Sequence, residues 1–242
     1  MPRRESLSGR VVVVSPHLDD AVVSLAATIA RATKSGARVE VLTVFAGDPA
    51  SDTPAGGWDS RGGFATEGEA ATARRAEDRE ACSIVGAEPS WLPFGDGNYA
   101  KGRDSGDVLA AVVATLAGAD AVLVPGFPLT NPDHAWLAEL LLGQALPCAR
   151  VGLYAEQPYR YMVRGERRRL DVPAQISPQL PHGIEWTYPA RSSDLPRKRR
   201  AILAYRSQVA LLGFSAKRHR KLHRMLLDEA LHRGEAIAWP SR

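Results

Sequence analysis

Cysteine is almost missing from this sequence. Two occur in 242 residues, Cys82 and Cys148, far apart and with no C-x-x-C spacing. That excludes a disulfide framework and a cysteine-built zinc site, and leaves both as expected core residues. Long apolar runs are missing as well. The opening MPRRESLSGR leads into only four valines, too short for the apolar region of a signal peptide, and no window approaches a membrane span; a cytoplasmic protein is expected. No G-x-G-x-x-G and no G-K-[ST] follows the first strand signal, so its turn is not built to bring backbone amides to a phosphate. The basic runs RGERRR, RKRR and KRHRKLHR lack interleaved aromatics and match no nucleic-acid fold signature. No internal repeat is visible.

Acidic charge is scarce in the last third. Residues 1–158 hold 13 Lys/Arg against 20 Asp/Glu, whereas residues 159–242 hold 18 against 7, for a net charge of +4. The basic block reads as solvated surface that can attract an anionic substrate or partner. With 45% hydrophobic residues the chain can bury one substantial core, and a single domain over 1–242 is expected, with a core at 10–155, an arm at 156–196 and helices at 197–242.

What is present begins with VVVVSPHLDD, Val11 to Asp20. Four consecutive valines cannot alternate faces and read as a parallel-sheet strand covered on both sides. A helix over Ala21–Lys34 stops at Ser35-Gly36. A second strand covers Arg38–Ala46, followed by a loop from Asp48 to Thr66 whose Trp58 and Phe64 suit a partly ordered segment near a site. Glu67–Val85 is the longest helical stretch, closed by Gly86. Further signals are a short strand Trp91–Phe94, a helix from Asp107 to Leu116, a strand Ala121–Pro125, a helix capped by Asn131 with Pro132 in its first turn, and a strand Val151–Tyr154. Two closing helices are expected, Lys198–Leu212 and Ala216–His232, each with an apolar stripe. The alternation predicts a Rossmann-like layered α/β fold: a mostly parallel sheet flanked by helices, then an irregular C-terminal arm or small antiparallel addition.

The chemistry concentrates in the turn after the first strand. His17 and a carboxylate three residues on can converge on one point there, at the sheet edge where open α/β folds hold ligands. His134, in TNPDH after a later strand, reaches the same edge. Two imidazoles and one carboxylate leave room for water, as a catalytic metal requires. Asp133 suits the task of accepting a ligand histidine's other ring N–H.

In order along the chain, P-H-L-D-D, R-x-x-E-x-x-x-A closed by glycine (Arg74, Glu77, Ala81, Gly86), N-P-D-H and A-Y-R-S-Q (Ala204 to Gln208) resemble the PIG-L/LmbE family of metal-dependent N-deacetylases. The likeness spans roughly residues 10–155 plus the S-Q helix. It implies removal of an N-acyl group from an amino sugar or glycoconjugate, a divalent metal on His17, Asp20 and His134 (zinc most often, Fe2+ as the alternative), and Asp19 as the general base toward water. It also implies Arg74 and Asp96 near sugar hydroxyls or anionic groups. Two positions depart from the family pattern: Leu18 stands where proline is usual, and Asn131 where many members have a histidine that assists the oxyanion or protonates the leaving amine. Asparagine can donate a hydrogen bond but cannot act as an acid.

Each signal has a plainer alternative. Asn131 can be only a helix cap, Arg74 a surface partner of Glu77 or Asp78, and Asp96 a turn residue. His219 and His223 have metal-pair spacing but sit among cations, and His182 is a loop histidine that could approach the site. Two rival functions follow. One is a non-haem iron oxygenase on the same triad, in which Asp19 has no task; the other is a noncatalytic anion- or nucleic-acid-binding protein using the basic third. Nucleic acid is not expected as a partner, and the oligomeric state is not readable.

Overall fold

The structure is a computed structural model describing residues 7–99, 103–161, 184–214, 220–232 and 234–240. In chain order its elements are β1 (Arg10–Ser15), α1 (Asp20–Lys34), β2 (Arg38–Thr43), α2 (Gly57–Arg61), α3 (Glu67–Val85), β3 (Glu88–Trp91), α4 (Ser105–Leu116), β4 (Ala121–Phe127), α5 (Pro132–Leu142), β5 (Val151–Ala155), β6 (Ile184–Thr187), α6 (Leu195–Ala204), α7 (Arg206–Val209), α8 (Arg220–His232) and β7 (Ile237–Pro240). The strands form one sheet in the order β3-β2-β1-β4-β5-β7-β6. Strands β1 to β5 are parallel, while β7 runs antiparallel to both β5 and β6. The fold is thus the layered α/β class expected from the sequence.

The four valines explain the layers. Val11 and Val13 face one core with Leu25, Ile29 and Val85 from α1 and α3; Val12 and Val14 face the other with Val108, Val112, Leu137 and Leu141 from α4 and α5. All four are fully buried, each contributing roughly 1.5–3 kcal/mol relative to exposure. Chain order reverses between β1 and β4, so the loops leaving their C-terminal ends splay apart and open a crevice. The turn carrying His17 and the α5 start carrying His134 flank that crevice.

Helix ends follow local chemistry. Thr66 accepts from Glu69 N at the start of α3, and Gly86 closes that helix at φ 79, a left-handed position suited to glycine. Asn131 caps α5 by accepting from Asp133 N at 2.9 Å.

Several boundaries differ from those expected. The second strand ends at Thr43, and the loop Asp48–Thr66 contains α2. The strand expected at Trp91–Phe94 lies at Glu88–Trp91, because its register is set by pairing with Glu40–Thr43; as an edge strand it tolerates Pro89. The helix expected over Lys198–Leu212 breaks at Tyr205 (ψ 63). Tertiary bonds impose the break: the Tyr205 hydroxyl donates to Asp78 at 2.6 Å, and Ser207 donates through its N–H and hydroxyl to Glu77 at 2.8 and 2.7 Å. The antiparallel addition takes its second strand from Ile237–Pro240, a stretch with no strand signal of its own. Cys82 is in the core, whereas Cys148 is half-buried.

Within RKRR, Arg197, Arg199 and Arg200 are exposed but Lys198 is fully buried. Its ammonium donates to Glu235 Oε1 at 2.7 Å and to Gln157 Oε1 at 2.9 Å. The Glu235 carboxylate also accepts the main-chain N–H groups of Ala27 and Thr28 and the Thr28 hydroxyl, in the middle of α1. No helix among the described residues is long and apolar enough to cross a membrane. His182, His219 and the run RGERRR lie outside the described residues; His223 is exposed on α8.

Candidate metal centre

Val11–Val14 carry the chain to the sheet edge, and the turn there folds back on itself. The Ser15 hydroxyl donates to His17 O and accepts from Ala21 N. The turn closes through Asp19 at φ 129, a sparsely populated conformation for a residue with a side chain. That conformation presents Asp19 to the crevice and lets Asp20 begin α1, where its carboxylate accepts from His17 N at 2.9 Å.

His17, Asp20 and His134 converge. Asp20 Oδ2 lies 3.1 Å from His17 Nδ1 and 3.1 Å from His134 Nε2, and the two ring nitrogens are 3.1 Å apart. Three ligands on a tetrahedral ion at roughly 2.0–2.1 Å would be separated by about 3.3 Å. Two nitrogens and one carboxylate oxygen at these spacings form an N2O donor set matched to a divalent cation.

Both rings are held from behind. His17 Nε2 faces Asp133 Oδ2 at 3.2 Å, and His134 Nδ1 faces Glu156 Oε1. With N–H groups on those outer nitrogens, the inner ones present lone pairs. Sequence reasoning missed Glu156. It is a lone carboxylate just past β5, and its one legible signal is its place at the C-terminal edge of a parallel strand.

Negative groups outweigh positive ones here. Burial alone would lower the imidazole pKa values, but the carboxylates of Asp133 and Asp20 raise His17 to about 9, and Asp20 and Glu156 raise His134. Burial would raise Asp20, but the two imidazoles hold it well below the usual range. Asp19 is pushed up to about 7 by burial and by Asp20, against the pull of Arg74 and His17. The cluster therefore favours added positive charge, as a cation site does.

Seven of the eight residues singled out in the sequence, His17, Asp19, Asp20, Arg74, Asp96, Asn131 and Asp133, line one cleft of about 160 Å³; His134 lies fully buried behind it. Arg74 is buried, and its partner is Asp59 at 3.1 Å rather than Glu77 or Asp78. Its buried Nε has no partner among the described residues. Asp59 also accepts from the Tyr99 hydroxyl at 2.9 Å, and that hydroxyl accepts from Gly56 N at 2.7 Å. Asp96 accepts from Asn98 N at 2.8 Å, so it is both a turn residue and part of the cleft wall. Trp58 lies in the lining, in keeping with the expectation that its loop sits near the site, and Gln208 of the S-Q motif is there too; sequence reasoning missed Tyr159, and the Trp58 indole donates to Gln208 at 2.6 Å.

Comparison with known proteins finds a matching family and a matching fold. The PIG-L family model, described as GlcNAc-PI de-N-acetylase, matches residues 12–144. Among solved structures the chain is similar to the A40926 pseudoaglycone deacetylase Dbv21, with 26% identity over 96% of each chain and a TM-score of 0.71. It is also similar to the zinc-inhibited form of teicoplanin deacetylase Orf2 (23% identity, 96% and 97% of the two chains, TM-score 0.75). A third is N,N'-diacetylchitobiose deacetylase from Pyrococcus horikoshii (17%, 93% and 78%, TM-score 0.56).

Proposed function

The chain belongs to the PIG-L family, and with it to the metal-dependent N-deacetylases; from that premise we propose that it hydrolyses an N-acetyl group from an amino sugar within a glycoconjugate. The observation that carries the reading is the 3.1 Å triangle of His17, Asp20 and His134 with the Asp19 carboxylate beside it. His17, Asp20 and His134 would hold a divalent ion, proposed to be zinc, which when bound would supply Lewis acidity toward an acyl oxygen and lower the pKa of water to roughly 7.

The protein's own groups do the rest. Asp19 accepts the proton of the attacking water and passes it to the departing amine, so no acid is required at Asn131. Asn131 and Asp133 act by position, the first capping α5 and the second orienting His17. Arg74 and Asp96 bind hydroxyl or anionic groups of the saccharide. A cleft of about 160 Å³ is smaller than the roughly 300–1,000 Å³ of sites that engulf a whole drug-sized ligand. It encloses the acyl amide and leaves most of a glycoconjugate outside.

The test is acetate release from a panel of N-acetylated amino sugars, free and phosphate-linked, by zinc-loaded protein. Asp19→Ala should abolish release while keeping zinc, and His17→Ala should lose the zinc; retained activity in either variant overturns the assignment. Oxygen-dependent turnover would favour the iron oxygenase instead.

A further inference from the structure

Arg103 takes no part in the chemistry above, yet it contacts the one carboxylate on which the metal centre and the substrate loop meet. Both of its terminal nitrogens donate to Asp133 Oδ1, each at 3.1 Å. The other oxygen of that carboxylate faces His17 Nε2 at 3.2 Å and accepts Gly97 N–H at 2.8 Å. The four contacts use the whole acceptor capacity of the carboxylate.

The guanidinium is itself held. Its central carbon lies 4.4 Å from the Phe45 ring and 4.2 Å from the Trp136 ring, in the notch between two tilted aromatics, and the Phe45 ring centroid is also 5.8 Å from that of His17. The side chain is only 13% exposed. A cation over two π faces and forked onto one oxygen is far more restricted than a surface arginine.

We propose that Arg103 is a positioning residue of the metal centre: by occupying Asp133 Oδ1 it fixes Oδ2 on the outer nitrogen of His17, and through Gly97 it ties the loop bearing Asp96 to the same point. This rests on the metal-site assignment under the proposed function. Outer partners of ligand histidines typically affect metal affinity by about 10- to 100-fold. Arg103 acts one bond further out, and its effect passes through Asp133.

Zinc affinity of the full chain, titrated against a chromogenic chelator, and the visible d–d spectrum of the cobalt-substituted protein test this. Arg103→Met should raise the zinc Kd by about 10-fold and shift the cobalt bands. Arg103→Lys should restore only part of the affinity, because an ammonium lacks the planar fork. With Asp133→Asn already in place, Arg103→Met should change the zinc Kd no further. Wild-type affinity and an unshifted cobalt spectrum in Arg103→Met overturn the proposal, as do additive effects in the double variant. Should Arg103→Met not fold, Arg103→Lys serves in its place: unchanged affinity and bands there sink the idea equally. A wild-type chain that binds no zinc ends both this proposal and the functional reading. One that binds zinc but releases no acetate ends only the latter.

Discussion

Lys198→Met should cost this protein much of its stability although Lys198 touches no ligand of the proposed metal. The lysine and its partner Glu235 are both fully buried and 2.7 Å apart. Removing one member of such a pair typically costs about 3–5 kcal/mol, because the survivor is left charged and uncompensated. Here Glu235 would keep the Ala27 and Thr28 N–H groups and the Thr28 hydroxyl, which places the expected loss near the lower end, about 3 kcal/mol. For a chain of this size that is a fall in Tm of roughly 6–12 °C. Gln157 loses a donor as well, so the cleft wall loosens with the core. Urea and thermal unfolding of Lys198→Met, Glu235→Gln and the double variant measure this. The double should be less destabilised than the sum of the singles by about 1 kcal/mol or more, since the two residues share one interaction. Arg206→Ala supplies the contrast: its pair with Glu80 is exposed, 66% and 48%, and the change should leave the unfolding midpoint nearly unmoved. A loss below about 1 kcal/mol in Lys198→Met, or additive singles, would refute the reasoning.

Three further outcomes are expected. Asp19→Gly should abolish hydrolysis yet raise the Tm of the metal-free protein, since glycine adopts φ 129 without the roughly 1–3 kcal/mol of strain a side chain incurs; an unchanged or lower Tm contradicts this. Zinc at 1,000 times its Kd should stabilise the wild type by about 4 kcal/mol and chelation should reverse it; His134→Ala should abolish that thermal shift and His223→Ala should not. Tyr99→Phe leaves Asp59 and Gly56 N without their shared hydroxyl and should raise KM more than it lowers kcat, because Arg74 then loses its fixed partner; an unchanged KM in steady-state assays would count against that link.

The metal turn is legible in the sequence because a continuous valine run and H-x-D-D are both local patterns. The sequence-derived ligands all reach one point for the same reason: each follows a strand ending at the same edge. Glu156 is legible only by its place just past a parallel strand, since a single carboxylate with no partner at fixed spacing carries no pattern, and its role appears only when β4 and β5 stand side by side. Periodicity overextends helix α6 because Ile202, Tyr205, Val209 and Leu212 keep helical spacing across a break that Glu77 and Asp78 impose from another helix. Strand β7 is four residues containing Trp239 and Pro240, too short for periodicity to speak. Arg74 looks like a surface partner in the sequence because Asp59 lies on α2, within a stretch that reads as loop.

The position of β7 between β5 and β6 has a consequence for how the molecule is made. On a translating ribosome the two flanking strands emerge well before the one that joins them, so β5 presents an open hydrogen-bonding edge until residues 237–240 clear the exit tunnel. Glu235 arrives in the same interval, so Lys198 and the middle of α1 wait for their acceptor until then. A nascent chain short of β7 is therefore a natural substrate for chaperones that guard exposed strand edges.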